Sequence, residues 1–260
     1  MNEIENWYDH EYEEWERLER HRIEFEITKR YLNEYITGKS ANIIDIGGGP
    51  GRYSIFLAEQ GHEVSLVDLS QHNVEVAGRK AKERGVCLKG CEKGDALNLQ
   101  KYNDGEFDVV LLMGPLYHLT KELDRKAALS EALRVLKPGG VIFAAFISNY
   151  APIQDCLSYL EFNDEVSEIL HYLDDGRNED GAGFTTAYFT SVKEAKELMR
   201  EAGLDELAFV GVENVIGCKE REIAQLPEEE FAKWLEICYQ LGQDPQVYGT
   251  SQHFLYIGRK

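Results

Sequence analysis

A chain of 260 residues with 43% hydrophobic and 29% charged residues has the composition of a globular protein with a sizeable core, which excludes a disordered chain. The formal net charge of −19 repels phosphate backbones and anionic lipid, and no run of Lys and Arg offsets it, so neither nucleic acid nor a membrane surface is an expected partner. The five cysteines lack framework spacing, no apolar stretch is long enough to span a membrane, and residues 1–19 are acidic where a secretory signal is basic and then apolar. A cytoplasmic protein with reduced thiols is the expectation. Cys87 and Cys91 fall short of the four ligands of a structural zinc site, and no pattern encodes the oligomeric state.

In chain order, the first forty residues stand apart. Trp7, Tyr8, Tyr12, Trp15, Leu18, Ile23, Ile27, Tyr31 and Tyr35 recur at roughly helical spacing. Residues 1–40 are expected to form a helical arm packed on the remaining domain, 41–260, or a cap whose aromatics also close over a ligand. Asn42–Ile46 is apolar and ends in glycines, so it reads as a buried strand. A helix is predicted over 52–60 and stopped by Gly61, a second strand over 63–67, and a helix over 71–84 closed by Gly85. Residues 87–92 read as a weaker third strand and Phe107–Leu112 as a strongly apolar fourth. A helix follows over 124–136, with Leu129, Leu133 and Leu136 on one face. Lys137-Pro138-Gly139-Gly140 reads as a turn and 141–147 as the fifth strand.

The strand–helix rhythm then breaks. Residues 148–188 contain one predicted helix near 164–173, then a polar, glycine-containing stretch over 174–183. Long irregular connections at a sheet edge often bind ligands, so this insertion is expected to be a lid that walls a pocket with Tyr150, Tyr159, Phe162, Tyr172, Phe184 and Tyr188. The alternative is a surface elaboration. Ser191 and Glu194 form a capping-box pattern for a helix ended by Gly203, with Leu198 on its apolar face. A sixth strand over 207–212, a helix over 227–241 with Pro227 near its first turn, and a final strand over 252–258 complete the chain.

The strongest chemical signal is Ile43-Ile44-Asp45-Ile46-Gly47-Gly48-Gly49-Pro50-Gly51. A buried strand runs into a glycine-rich turn that opens a helix, where glycines permit sharp bends and close ligand approach. A phosphate-binding loop needs Gly-Lys-Ser/Thr, and this turn continues Gly51-Arg52-Tyr53. A dinucleotide site needs Gly-x-Gly-x-x-Gly, and counting from Gly47 the last position is Arg52.

The turn instead resembles the first motif of class I S-adenosylmethionine-dependent methyltransferases, an acidic residue followed by Gly-x-Gly-x-Gly, here Asp45, Gly47, Gly49 and Gly51. The resemblance extends in order through Val64-Ser65-Leu66-Val67-Asp68, Gly94-Asp95-Ala96, Phe107-Asp108-Val109-Val110-Leu111-Leu112 and Leu133-Arg134-Val135-Leu136-Lys137-Pro138-Gly139-Gly140. The last strand is similar to the family's reversed seventh strand. The N-terminal helix and Gly114-Pro115-Leu116-Tyr117-His118-Leu119 resemble a bacterial subgroup that methylates small molecules.

The resemblance implies a Rossmann-like α/β fold, a seven-stranded, mostly parallel sheet with helices on both faces. It implies S-adenosylmethionine as cofactor, S-adenosylhomocysteine as product, a small-molecule acceptor and no metal. Asp68 is expected to bind the ribose hydroxyls or to cap the next helix. Asp95 is expected beside the adenine amino group, or as a turn residue. Asp45 is expected to brace the glycine loop near the amino acid end of the cofactor. Gly48, Leu69, Ala96, Met113 and Gly114 complete the expected cofactor contacts, and Asp108, at the far end of its strand, is expected to be structural.

Tyr117 and His118 follow the fourth strand, and a neutral imidazole there is placed to take a proton from the acceptor; a packing role is the alternative. His171 and Tyr172 are weaker candidates. Direct displacement at the methyl carbon is the expected reaction. A non-catalytic binder of the cofactor that acts through a partner, or another group transfer on the same fold, would carry the same motifs.

Overall fold

The computed structural model describes residues 3–12, 14–159, 165–179, 181 and 184–260, with backbone only at 18, 19, 158 and 159. The side chains of Leu18, Tyr159 and Phe162 therefore lie outside the described residues. Three helices open the chain: α1 (Glu3–His10), α2 (Glu14–Arg20) and α3 (Arg22–Tyr35). Ile23, Ile27 and Tyr31 of α3 are buried against the sheet domain, each burial contributing about 1.5–3 kcal/mol, so the arm is packed as its periodicity predicts. Asp9 of α1 accepts hydrogen bonds from Ser70 Oγ (2.5 Å) and the His72 amide (3.1 Å), and Arg52 donates to the Trp15 carbonyl (2.9 Å).

Alternating strands and helices follow: β1 (Asn42–Ile46), α4 (Arg52–Glu59), β2 (Glu63–Asp68), α5 (Gln71–Glu83), β3 (Gly90–Lys93), β4 (Phe107–Leu112), α6 (Glu122–Val135) and β5 (Leu136–Ile147). The insertion contributes α7 (Ala151–Tyr159), α8 (Val166–Asp174) and a short hairpin of β6 (Arg177–Asn178) and β7 (Ala187–Tyr188). Then come α9 (Val192–Glu201), β8 (Asp205–Gly211), α10 (Glu220–Ala224), α11 (Glu228–Gly242) and β9 (His253–Arg259). The capping box of Ser191 and Glu194 is formed, each partner satisfying an amide that the first turn of α9 leaves open.

Seven strands form one sheet in the order β3-β2-β1-β4-β5-β9-β8. The first five are parallel, and β9 is antiparallel to both β5 and β8. One core lies under α3 and α11 and the other under α6 and α9, so helices cover both faces of the sheet. The strand order reverses between β1 and β4, and that switch point is where an open α/β sheet leaves a crevice beyond its strand ends.

Three local expectations are corrected. The third strand begins at Gly90 rather than 87, because pairing with β2 starts at Ser65↔Gly90 and Cys87 is exposed on the approach. Lys137–Gly140 is not a free turn. The Gly139 amide donates to the Lys260 carbonyl (2.7 Å) and the Lys260 amide to the Gly140 carbonyl (3.0 Å), so the C-terminus extends the ladder. Gly139 takes φ +78°, which a side chain resists. The insertion holds α7, which the irregular reading of 148–163 did not foresee. Pro152 falls in its first turn, where proline removes no helical bond.

Candidate active site

The crevice is built by four strand ends, those of β1 to β4. Beyond β1, Gly47, Gly49 and Gly51 all take positive φ (+70°, +56° and +84°), which fixes the loop's path. A Cβ on Gly114 would lie 2.7 Å from the Gly47 carbonyl, and one on Gly47 would lie 2.6 Å from the Pro115 ring. The β1 and β4 loops therefore touch backbone to backbone, and only glycine permits it. Gly47 and Gly48 donate to the Val67 carbonyl (2.7 and 3.3 Å), joining the loop to the end of β2.

Asp68 ends β2. One carboxylate oxygen accepts from the Gly49 amide (2.7 Å), the other from the Ser70 amide (2.9 Å) and Asn73 Nδ2 (3.3 Å). It is thus both a brace of the glycine loop and a member of the cavity wall. Burial raises its pKa, and these donors oppose that rise. Asp45 is buried beneath the loop, accepts from Ser54 Oγ (2.7 Å), and is pushed by burial up to about 7. A Cβ on Gly48 would meet this carboxylate at 2.7 Å, so Asp45 braces the loop as expected. Asp95 is exposed at the rim and accepts from the Leu97 amide (2.9 Å). Asp108 lies at the opposite end of the sheet, bonded to the Asn42 amide (2.9 Å) and Lys137 (2.6 Å), and is structural.

Leu69, Ala96, Met113 and Gly114 share one cavity with Asp45, Asp68, Asp95 and the first three glycines of the loop. Gly51 shapes the loop without lining the cavity. The space is about 1150 Å³ counted to its open mouth.

Tyr117 and His118 close the far side, after a single 3₁₀ turn over Pro115–Tyr117. His118 Nδ1 lies 3.1 Å from the Thr186 carbonyl, which can only accept, so Nδ1 carries the hydrogen. Nε2 then accepts from the Tyr8 hydroxyl (2.9 Å). Enclosure lowers the imidazole pKa to about 4. His118 is neutral near pH 7, as expected, but its acceptor nitrogen is occupied and its basicity is low. The geometry favours a positioning role over that of a base. His171 is exposed and pairs with Asp175, and Tyr172 is buried under the insertion; neither lines the cavity.

The lid expectation is also corrected. Among the described residues, none of 148–188 lines the cavity. Ala151, Tyr172 and Ala187 form a separate apolar cluster with Ile147 and Phe189, packed behind Tyr117. The wall opposite the strand ends comes from the arm instead: Tyr8, Glu14, Arg17 and Glu24. Arg17 lies 2.8 Å from Glu24, and its Nη2 reaches His253 Nε2 at 3.1 Å. His253 Nδ1 in turn meets Glu213 at 2.5 Å. Against burial, the charge of Arg17 holds Glu24 down at about 2, whereas burial pushes Glu14 up to about 7. The aromatic reading of the arm missed these groups. Their signal on α3 is the seven-residue spacing of Glu24 and Tyr31, which puts a charged residue on the inward stripe, while Glu14 and Arg17 reach the same cavity from α2.

Comparison with known proteins agrees with this geometry. Residues 43–140 match the family described as methyltransferase domain. A glycine/sarcosine N-methyltransferase of Parasynechococcus marenigrum is 34% identical over 133 residues, 49% of this chain and 46% of that protein. A ubiquinone biosynthesis O-methyltransferase of Nitrosospira multiformis is 27% identical over 217 residues, 84% of this chain and 77% of that protein. The chain spans less than half the length of the curated relatives it matches at 34–36% identity. A solved S-adenosylmethionine-dependent methyltransferase of Thermotoga maritima, described as a possible histamine N-methyltransferase, superposes with a TM-score of 0.59 at 23% identity, covering 95% of each chain. Residues 43–140 thus resemble a methyltransferase domain, and the fold of the described residues is that of the solved S-adenosylmethionine-dependent methyltransferases.

Proposed function

We propose that the protein binds S-adenosylmethionine in the crevice between β1 and β4 and transfers its methyl group to a small molecule. The observation that carries this reading is the convergence of Asp68, Asp95, the glycine loop and Met113-Gly114, from four strand ends, on one cavity. The residues present fit the cofactor. Asp68 keeps a free lone pair on Oδ2 for a ribose hydroxyl, Asp95 at the rim suits the adenine amino group, and the loop over Asp45 suits the amino acid end. The sulfonium makes the methyl group reactive, so the chain's task is alignment and exclusion of water, worth roughly 7–11 kcal/mol of barrier. The arm, docked through Asp9 and Tyr8, closes that space, and His118 holds Tyr8 in place. Relatives that act on glycine, sarcosine, ubiquinone precursors and norajmaline, by their names, support an acceptor of small-molecule size.

No helix among the described residues is long and apolar enough to cross a membrane. The test is incubation of purified protein with S-adenosylmethionine and a panel of amines, phenols, thiols and carboxylates, with mass analysis of both products. Methylated acceptor and S-adenosylhomocysteine in equal amounts are expected. Cofactor binding without product from any acceptor class would contradict the catalytic reading.

A further inference from the structure

The arm brings two carboxylates into the cavity and gives neither a full set of donors. Glu14 pairs with Arg17 at 3.9 Å, which is too long for a hydrogen bond. Glu24 Oε1 accepts from Arg17 Nη1 (3.1 Å). Its Oε2, sealed from solvent and 2.8 Å from Arg17 Nη2, has no N–H directed at it. Both carboxylates line the cavity of the glycine loop. Glu24, Tyr53, Met113 and Tyr117 also line a smaller cavity that continues to His253. Behind them Glu213 is satisfied, with both oxygens on His253.

Glu213 is met by His253, which also lies 3.8 Å from Glu24 and whose pKa these two acids raise, while Arg52 is engaged with the Trp15 carbonyl and lies over the Trp15 and Phe25 rings. Arg17 is the cation that Glu14 and Glu24 share. Carboxylates held out of water without donors are costly, and the complement they lack is a cation bearing N–H groups. A phenol or carboxylic acid would bring further acceptor oxygens instead. Tyr8, Tyr53 and Tyr117 border the same space, and aromatic rings can attract ammonium groups.

We propose that the acceptor is a small primary or secondary amine, held by Glu14 and Glu24 of the arm where the two cavities meet. This rests on the methyltransferase reading and names its substrate class. The amine enters as an ammonium ion and gives one proton to Glu14. Its nitrogen lone pair then forms the N–C bond as the methyl carbon–sulfur bond breaks, with that electron pair staying on sulfur. The methylated ammonium leaves, and Glu14 returns its proton to solvent.

The test uses the full chain saturated with S-adenosylhomocysteine and two probes of equal shape, benzylamine and benzyl alcohol, with binding followed by ligand-detected NMR. Benzylamine is expected to bind at least about tenfold more tightly, and Glu14→Gln and Glu24→Gln each to remove that preference while S-adenosylhomocysteine affinity stays within about twofold. If Glu24→Gln does not fold, Glu14→Gln decides alone. Equal affinity for the two probes, or no benzylamine binding at millimolar concentration, overturns the proposal. So does a Glu14→Gln variant that loses S-adenosylhomocysteine and keeps its preference for benzylamine, because Glu14 would then serve the cofactor's own ammonium. Failure of the wild type to bind S-adenosylhomocysteine is a separate result. It defeats the methyltransferase reading, and this inference with it.

Discussion

Two segments lie outside the alternating sheet pattern beside the strand ends, the arm of α1 to α3 and the insertion of 148–188, and they are put to opposite uses. The arm turns charged side chains inward: Glu14, Arg17 and Glu24 form a cavity wall. The insertion turns apolar and aromatic side chains onto each other, with Tyr172 against Phe189 at 5.0 Å between ring centroids. Among its described residues, it meets the site from behind, through the Thr186 carbonyl and the Phe184 ring against His118. Aromatic content does not distinguish a lid from a satellite core, because aromatics serve both. Charged residues on a helix's inward stripe do distinguish them, because burying charge is costly unless a partner or a ligand meets it.

That contrast breaks most visibly at Arg17. Arg17→Met leaves Glu24 and Glu14 without their cation and is expected to cost about 3–5 kcal/mol in urea unfolding. Arg17→Met combined with Glu24→Leu should recover most of that loss. Equal destabilisation in the single and double variants would mean that the arm's ionic wall is incidental to its packing.

The next effect sharpens the point where the two segments meet. The pKa of His118 falls from 6.5 in the unfolded chain to about 4 in the fold. The folded state therefore binds fewer protons between these values. Its contribution to stability is complete above pH 6.5 and is lost as the pH falls through 4. For this partly buried group the amount is about 2–3 kcal/mol. Stability curves of wild type and His118→Phe should converge by that amount between pH 6.5 and 4, and a constant difference would contradict the shift. Turnover should show no inflection from His118 between pH 6 and 8. A wild-type acidic limb there that disappears in His118→Gln would restore His118 as the base.

The smallest effect is expected from the largest change. Replacing 149–187 by a short Gly/Ser linker should lower the melting temperature and leave S-adenosylhomocysteine affinity within about threefold, measured by calorimetry. Loss of affinity in a folded deletion would make the insertion part of the cavity and remove the contrast between the segments.

The central fold was legible because local signals agreed. Four of the five parallel strands announced themselves as apolar runs, α4 and α5 ended at glycines, and the antiparallel β9 followed from the resemblance. Asp45 as brace and Asp108 as structural residue also followed from their places on strands. What the sequence hid depends on contacts distant along the chain. The Lys137–Gly140 segment becomes part of the ladder only because Lys260 reaches it, and His118 loses basicity only because Tyr8 and Thr186, 110 and 68 residues away, enclose it. The charged wall was hidden for a related reason. Alone, Glu14, Arg17 and Glu24 read as solvated helix positions, and the docking of α2 and α3 turns them inward.

The central claim is that the crevice is an S-adenosylmethionine site organised by Asp68, and calorimetric titration with S-adenosylhomocysteine tests it most directly. Asp68→Asn is the informative variant, since it preserves an acceptor for the Gly49 amide, whereas alanine would also release the loop. Saturable binding at one site is predicted, weakened about tenfold in Asp68→Asn. No binding to the wild type, or unaltered affinity in a folded Asp68→Asn, would contradict it.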